Sequence, residues 1–247
     1  MKKSYIRLGV NIDHIAFIKK ARETNYPNLC RAVEICENAG ADVITIHLRE
    51  DRRHIQDKDA YQIRQCCKEL NFEMANTLEM VKIAKDLAPN YCCIVPEKRE
   101  EKTTEGGLNL SDLPTSSKTI FKDNISLLKD TGIEVSLFIN PTRNDIEISK
   151  ELGAQAVELH TGSFSDTTDE NQLKIEFDKL SDSSIYAHDM GLKVNAGHGL
   201  NYMNIGKIAK LPHINELNIG HSIIAESVYC GLKDAIIKIK RIIESCD

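Results

Sequence analysis

Eight short β-rich runs separated by helix-period segments, helix-closing glycines just ahead of several of those runs, and ionisable residues at the runs' ends together predict an α/β fold: an eight-stranded (β/α) barrel, the TIM barrel, with extra helices. The 247-residue length is close to the size of about 250 typical of one such barrel, so residues 1–247 are expected to form a single domain. A doubly wound open sheet is the alternative. That fold gathers ligands in one crevice, whereas polar residues at nearly every strand end suit a ring of converging sites.

The strands are expected at 6–13, 42–48, 71–75, 91–96, 133–139, 155–160, 192–197 and 215–220. The first carries Leu8-Gly9-Val10 into Asn11-Ile12-Asp13-His14, and the second carries Val43-Ile44-Thr45-Ile46 into His47-Leu48-Arg49. The third ends at Phe72-Glu73-Met74, the sixth at Val157-Glu158-Leu159-His160 and the seventh at Val194-Asn195-Ala196-Gly197-His198. Val135-Ser136-Leu137-Phe138-Ile139 is almost continuously apolar, as a parallel strand covered on both faces should be. Gly40, Gly132, Gly153 and Gly191 each close a helical pattern shortly before a strand, where a left-handed residue without Cβ ends a helix at low cost. Between them, 29–39, 78–87 and 120–128 have helical periodicity, with Asp57 and Thr77 as expected caps. The stretch 97–117 is irregular, contains Gly106-Gly107 and Asp112-Leu113-Pro114, and is expected to be a lid over the strand ends. Ile236, Ile239, Ile242 and Ile243 form one face of a C-terminal helix, expected to pack on the barrel.

A net charge of -5 and a pI near 5.9 exclude a general nucleic-acid binder. No segment approaches 18 consecutive apolar residues and the N-terminal run is too short for a signal peptide, so a cytoplasmic protein without membrane contact is expected. The eight cysteines include the adjacent pairs Cys66-Cys67 and Cys92-Cys93 but no CxxC, and read as reduced, largely buried thiols.

The segment from His47 to His54 holds Arg49, Arg52 and Arg53 beside Glu50 and Asp51. Strand alternation points His47 and Arg49 inward and Leu48 outward, so Arg49 is a candidate anion ligand, while Arg52 and Arg53 read as a self-neutralising surface cluster. Asn11, Asp13, His47, Arg49, Glu73, Glu158 and His198 would all converge on one barrel mouth. So many buried polar groups are too costly to assemble without a use, and carboxylates beside histidines suit proton transfer at a carbonyl substrate. The loops Asn195-Ala196-Gly197-His198-Gly199-Leu200 and Asn218-Ile219-Gly220-His221-Ser222 follow the seventh and eighth strands, where barrel enzymes commonly hold phosphate on backbone amides. A metal-dependent barrel hydrolase would be expected to carry a His-x-His on the first strand, which here reads Asp13-His14. A non-catalytic metabolite-binding barrel would not need the proton-transfer set.

Asn11-Ile12-Asp13-His14-Ile15, the run from Ile46 to Ile55, Val95-Pro96-Glu97-Lys98-Arg99, Thr103-Thr104-Glu105-Gly106-Gly107-Leu108, Val194 to Leu200 and Glu216-Leu217-Asn218-Ile219-Gly220-His221 resemble the pyridoxine 5'-phosphate synthase family over nearly the whole chain. The resemblance implies a barrel with extra helices in a symmetric homo-oligomer, an octamer, with no metal or organic cofactor. Its partners would be two phosphorylated small molecules, 3-amino-2-oxopropyl phosphate and 1-deoxy-D-xylulose 5-phosphate, condensed to pyridoxine 5'-phosphate with release of inorganic phosphate and water. By the same resemblance His47 and Glu73 are proton acceptors, His198 a proton donor and Glu158 a transition-state stabiliser. Asn11 would contact the amino-ketone phosphate, and Asp13, His14, Arg22, Arg49, His54 and Thr103 the deoxyxylulose phosphate. Gly199, Gly220 and His221 fall in the two phosphate loops. The chain departs from the family pattern at Glu23, where a small residue is commoner, and at Asn140, where an acidic residue is usual.

Overall fold

The computed structural model describes residues 5–97 and 106–246. Eight parallel strands close into a barrel in sequential order, β1 through β8 and back to β1. They are β1 (Arg7–Asn11), β2 (Val43–His47), β3 (Leu70–Met74), β4 (Tyr91–Ile94), β5 (Glu134–Ile139), β6 (Ala156–His160), β7 (Lys193–Gly197) and β8 (Ile214–Ile219). The helices are α1 (Asp13–Ala21), α2 (Leu29–Asn38), α3 (Asp57–Cys66), α4 (Leu78–Leu87), α5 (Thr115–Lys129), α6 (Arg143–Glu151), α7 (Gly162–Asp166), α8 (Glu170–Asp189), α9 (Ile205–Ile208), α10 (His221–Cys230) and α11 (Leu232–Glu244). One helix per strand would need eight; α1 and α7 are short additions on the loops after β1 and β6, α9 is the single short crossover from β7 to β8, and β8 is followed by two helices, α10 and α11.

Period-2 alternation sorts the strand residues. Leu8, Val10, Ile44, Ile46, Leu70, Phe72, Val135, Leu137, Val157, Leu159 and Leu217 face outward and join the helices in one apolar core, in which Ile236, Ile239 and Ile243 of α11 are also buried. Inward positions are mostly polar, apart from a small separate cluster of Cys93, Val95 and Phe138. The four helix-closing glycines are left-handed, with φ of +101° at Gly40, +84° at Gly132, +93° at Gly153 and +74° at Gly191. All eight cysteines are free thiols, with Cys36 and Cys92 in the apolar core.

Three expectations are corrected. The first strand stops at Asn11: the Ile12 amide bonds the Thr45 carbonyl at 3.1 Å and α1 begins at Asp13. Asp57 is the first residue of α3, not its cap; the preceding residue is Gln56, whose amide donates to Asp59 Oδ2 at 3.2 Å, and Asp57 pairs with Arg52. Thr77 does cap α4, accepting from the Met80 amide. The irregular stretch ends earlier than expected, because α5 starts at Thr115; Leu108 also bridges Ile139, with its amide 2.7 Å from the Phe138 carbonyl. The remainder of that stretch, 98–105, lies outside the described residues.

Near the barrel's closed end, Glu216 is 4% exposed and lies 3.5 Å from Arg7 Nε. Arg7 donates further to Glu69 Oε2 at 2.5 Å and to the Tyr91 hydroxyl at 2.8 Å. Burial lifts the Glu216 carboxyl to about 7 and the charge of Arg7 reverses only part of that. Its folded value exceeds the unfolded one, near 4.3, so its contribution to stability is complete at low pH and is lost as pH rises through about 7. Glu216→Gln should therefore raise Tm relative to wild type more at pH 8 than at pH 5, by roughly 3 °C or more, as thermal melts at the two pH values would show.

Candidate active site

The open ends of the strands surround a cavity of ≈ 710 Å³. Of the residues expected there, Asn11, Asp13, His14, His47, Arg49, His54, Glu73, Glu158, His198, Gly199, Gly220 and His221 line it. Arg22 does not: it is the exposed residue that ends α1, about 13 Å along the helix from Asp13. Thr103 lies outside the described residues. Arg52 is committed to Asp57 and Glu79, as a neutralised surface residue should be. Arg53 corrects the surface reading, since it lines the cavity while pairing with Asp51 at 2.5 Å.

Asn11 and Asp13 brace each other where β1 turns into α1. The Asn11 amide group donates to Asp13 Oδ2 at 3.0 Å, and Asn11 Oδ1 accepts the Asp13 backbone amide at 2.8 Å. The other carboxylate oxygen of Asp13 accepts the His47 backbone amide at 3.0 Å, which ties β1 to the end of β2. His47 Nε2 is 2.9 Å from Glu97 Oε1, and Glu97 Oε2 accepts the Glu50 amide at 3.1 Å. Burial would lift the Glu97 carboxyl, but the hydrogen bond and charge of His47 outweigh it and hold Glu97 below its ordinary value. An ionised Glu97 can only accept, so Nε2 carries a proton and Nδ1 is left facing Glu73 at 4.0 Å. His54 Nδ1 accepts the Ile55 amide, and burial first holds its ring below the usual imidazole range. His14 is depressed by burial and then by His221, whose ring centroid is 5.0 Å away.

Glu73 and Glu158 form the electrostatic centre. Burial, then the charges of Glu158 and Asp13, push Glu73 well above the ordinary carboxylate range. Burial and then Glu216 raise Glu158 to about 8, opposed by a 2.8 Å hydrogen bond from Asn218 Nδ2 to Glu158 Oε2. Asn218 is oriented in turn: its Oδ1 accepts the Thr45 hydroxyl at 3.2 Å, and Thr45 Oγ1 accepts Asn71 Nδ2 at 3.4 Å. Two glycines make room for this chain. A Cβ on Gly9 would sit 1.9 Å from Asn218 Oδ1, and one on Gly197 would sit 2.4 Å from Glu158 Oε1. Carboxyls so placed hold protons near neutral pH and can exchange them with a bound substrate.

The pyridoxal phosphate biosynthesis protein PdxJ family model matches residues 8–245. The chain belongs to this family. Among its relatives, a pyridoxine 5'-phosphate synthase of Thermodesulfovibrio yellowstonii is 51% identical over 241 residues, covering 97% of this chain and 98% of the relative. One from Blochmanniella pennsylvanica is 49% identical over 245 residues, with 98% of both chains covered. This PdxJ chain is therefore one of a family of enzymes. Solved structures with the same fold include the KGPDC of Streptococcus mutans, with TM-score 0.64, 13% identity and 98% and 99% of the two chains covered. Another is the phosphoribosylanthranilate isomerase of Thermotoga maritima, at TM-score 0.59 and 13% identity, covering 98% and 100%.

Glu97 and Asn218 are functional candidates that the sequence alone does not single out. Both stand within the motifs that resemble the family, but only the fold joins Glu97 to a histidine 50 positions earlier. Among the described residues, Asp13, His47 and Glu73 also offer three ligand atoms within 4.8 Å of one another, a set able to hold a cation. The carboxylate coupling is directly testable. Glu158→Gln removes a negative neighbour from Glu73, so Glu73 ionises more easily and the acid limb of kcat/KM should move down by about one pH unit, alongside a fall in rate, in a pH–rate profile.

Proposed function

We propose that this cavity performs the synthase reaction, condensing 3-amino-2-oxopropyl phosphate with 1-deoxy-D-xylulose 5-phosphate to pyridoxine 5'-phosphate, inorganic phosphate and water. The observation that carries the reading is a ring of proton-transfer groups, His47, Glu73, Glu158 and His198, with anion-holding groups on two separate arcs of the same mouth, one on either side of β1. Arg49 and Arg53 follow β2; Gly199, Gly220 and His221 follow β7 and β8, and the first amides of α10 open beside Gly220. Two phosphorylated substrates need two such arcs.

Imine formation, dehydration and ring closure each move protons on one carbonyl skeleton. In this assignment His47, with Glu97 on its far nitrogen, and Glu73 accept protons. His198 donates to leaving oxygen, and Glu158, steadied by Asn218, meets charge that develops in the ring-forming states. Asn11 contacts the amino-ketone phosphate, while Asp13, His14, Arg49 and His54 hold the deoxyxylulose phosphate. The chain acts as a single barrel domain without metal or organic cofactor. We also assign it to the cytoplasm, as a homo-oligomer, an octamer by family resemblance. Exposed Tyr26, Val228 and Tyr229 support assembly, and no helix among the described residues is long and apolar enough to cross a membrane.

The donor set at Asp13, His47 and Glu73 favours a second reading, a metal-assisted hydrolase. One experiment separates the two: the purified chain is assayed in chelator with both substrates, following pyridoxine 5'-phosphate and inorganic phosphate together, beside His47→Asn. Equal formation of both products, reduced roughly 100-fold or more in the variant, is the expected result. Folded protein that yields no product with fresh substrates, and hydrolyses a phosphate ester only after metal is added, would sink the synthase reading.

A further inference from the structure

His198, the first residue after β7, has φ +83°, a left-handed conformation that L side chains rarely adopt, and Gly199 follows at +71°. Such a backbone persists only where its surroundings determine it. Here they come from the end of β6. Thr161 is fully buried, and its hydroxyl lies 2.5 Å from the His198 carbonyl and 2.8 Å from that of Gly197, while its amide donates to the Gly197 carbonyl at 2.9 Å. The Ser165 hydroxyl, on α7, adds a longer contact to the His198 carbonyl at 3.4 Å. Asn204 Nδ2 donates to Ser165 Oγ at 3.2 Å and to the Gly199 carbonyl at 3.1 Å.

The ring of His198 is seated by the same segment. The His160 ring, 8% exposed, lies with its centroid 5.0 Å from that of His198 and is backed edge-on by Phe138 at 5.4 Å. Gly162 leaves room for both rings: a Cβ there would fall 2.4 Å from His160 Nε2 and 3.1 Å from His198 Cδ2. Burial, then the neighbouring His198, hold His160 down to about 4, so the ring packed on His198 is neutral at working pH.

We propose that Thr161 is a positioning residue for this enzyme's reaction, its hydroxyl fixing the left-handed backbone of His198 so that the imidazole is aimed into the cavity. The inference rests on the reading of His198 as the proton donor. A strand-terminating threonine with no such role would need only its backbone amide, which already continues the β6–β7 ladder; the hydroxyl on two successive carbonyls is what the ladder does not require.

The test is a double-mutant cycle in the synthase assay. Thr161→Val keeps the volume and removes the donor. It should lower kcat roughly 10- to 100-fold, as a small misplacement of a catalytic group does, with both KM values within about two-fold. Thr161→Ser should recover kcat to within about three-fold. In a His198→Asn background the Thr161→Val change should have no further effect, because there is no imidazole left to aim. Where the valine variant does not fold, Thr161→Ala replaces it with the same criteria. A Thr161→Val enzyme with wild-type kcat, or one whose loss is equally large on top of His198→Asn, overturns the proposal while leaving His198 in its role. Full activity of His198→Asn alone would instead overturn the reading of His198, and the proposal with it.

Discussion

A carboxylate taken out of water is costly unless something nearby meets its charge or it keeps a proton, and this barrel takes three into one interior. Glu73, Glu158 and Glu216 enter from β3, β6 and β8 because strand alternation turns them inward while their apolar neighbours face the helices. The solutions differ with depth. Glu216 has Arg7 beside it, itself anchored on Glu69 and Tyr91. Glu158 has one amide donor, Asn218, reached through Thr45 and Asn71 and possible only because positions 9 and 197 lack a Cβ. Glu73 opens on the cavity, with His47 Nδ1 at 4.0 Å and the carboxyls of Glu158 and Asp13 for neighbours. Charge is thus best compensated at the closed end and least compensated at the mouth, which is the division between stabilising and reactive faces expected of this architecture.

The fold was legible because two periodicities switch cleanly along the chain. Outward Leu, Ile and Val at every second strand residue and left-handed glycines at 40, 132, 153 and 191 place all eight strands to within two residues, the first running from 7 to 11 where 6–13 is expected. That end, after Asn11, was hidden because Ile12, Ile15 and Ala16 are also buried, as the inner face of α1. Over four residues an apolar helix face and a strand end look alike. The cap of α3 is hidden for a related reason: Asp57 has the chemistry of a cap, but the charge of Arg52 claims it, and Asp59 takes the preceding amide.

The site was legible wherever its residues end strands, and obscure wherever a role depends on a distant partner. Asn218 is reachable by the rule that turns His47 and Arg49 inward, since Glu216 in, Leu217 out, Asn218 in is the same alternation, although in sequence it also opens the phosphate loop that follows it. Glu97 carries no such signal, because its meaning comes from the curved sheet bringing the end of β4 to the end of β2 across β3. In sequence, Arg53 shows only its acidic neighbours Glu50 and Asp51. Its pairing with Asp51 is real, yet the turn at Arg52, left-handed at φ +50°, leaves Arg53 on the cavity wall. Arg22, expected at the site from the resemblance alone, stands beyond the 9 residues of α1 at an exposed position that does not line the cavity.

Backbone strain separates the two kinds of residue further. Five described non-glycine residues are left-handed: Glu23, Arg52, Ala88, His198 and His213. Ala88 closes α4, with its amide bonded to Ala84, and such a helix end accepts a left-handed residue at modest cost. Glu23 and Arg52 sit in turns, and His213 immediately precedes β8. His198 alone of the five lines the cavity. Its conformation bends the chain away from the β7 ladder just past the pairing of His160 with Gly197, so that its carbonyl turns back to β6 while its side chain turns to the mouth. A residue in ordinary extended conformation at 198 would continue the strand and send its side chain by simple alternation to the outer, helix-covered face, since Gly197 already occupies the inward position beside Glu158. The left-handed turn is therefore what converts an outward position into a cavity-lining one, and β6, which delivers Glu158 from below, also supplies the hydroxyl that holds that turn.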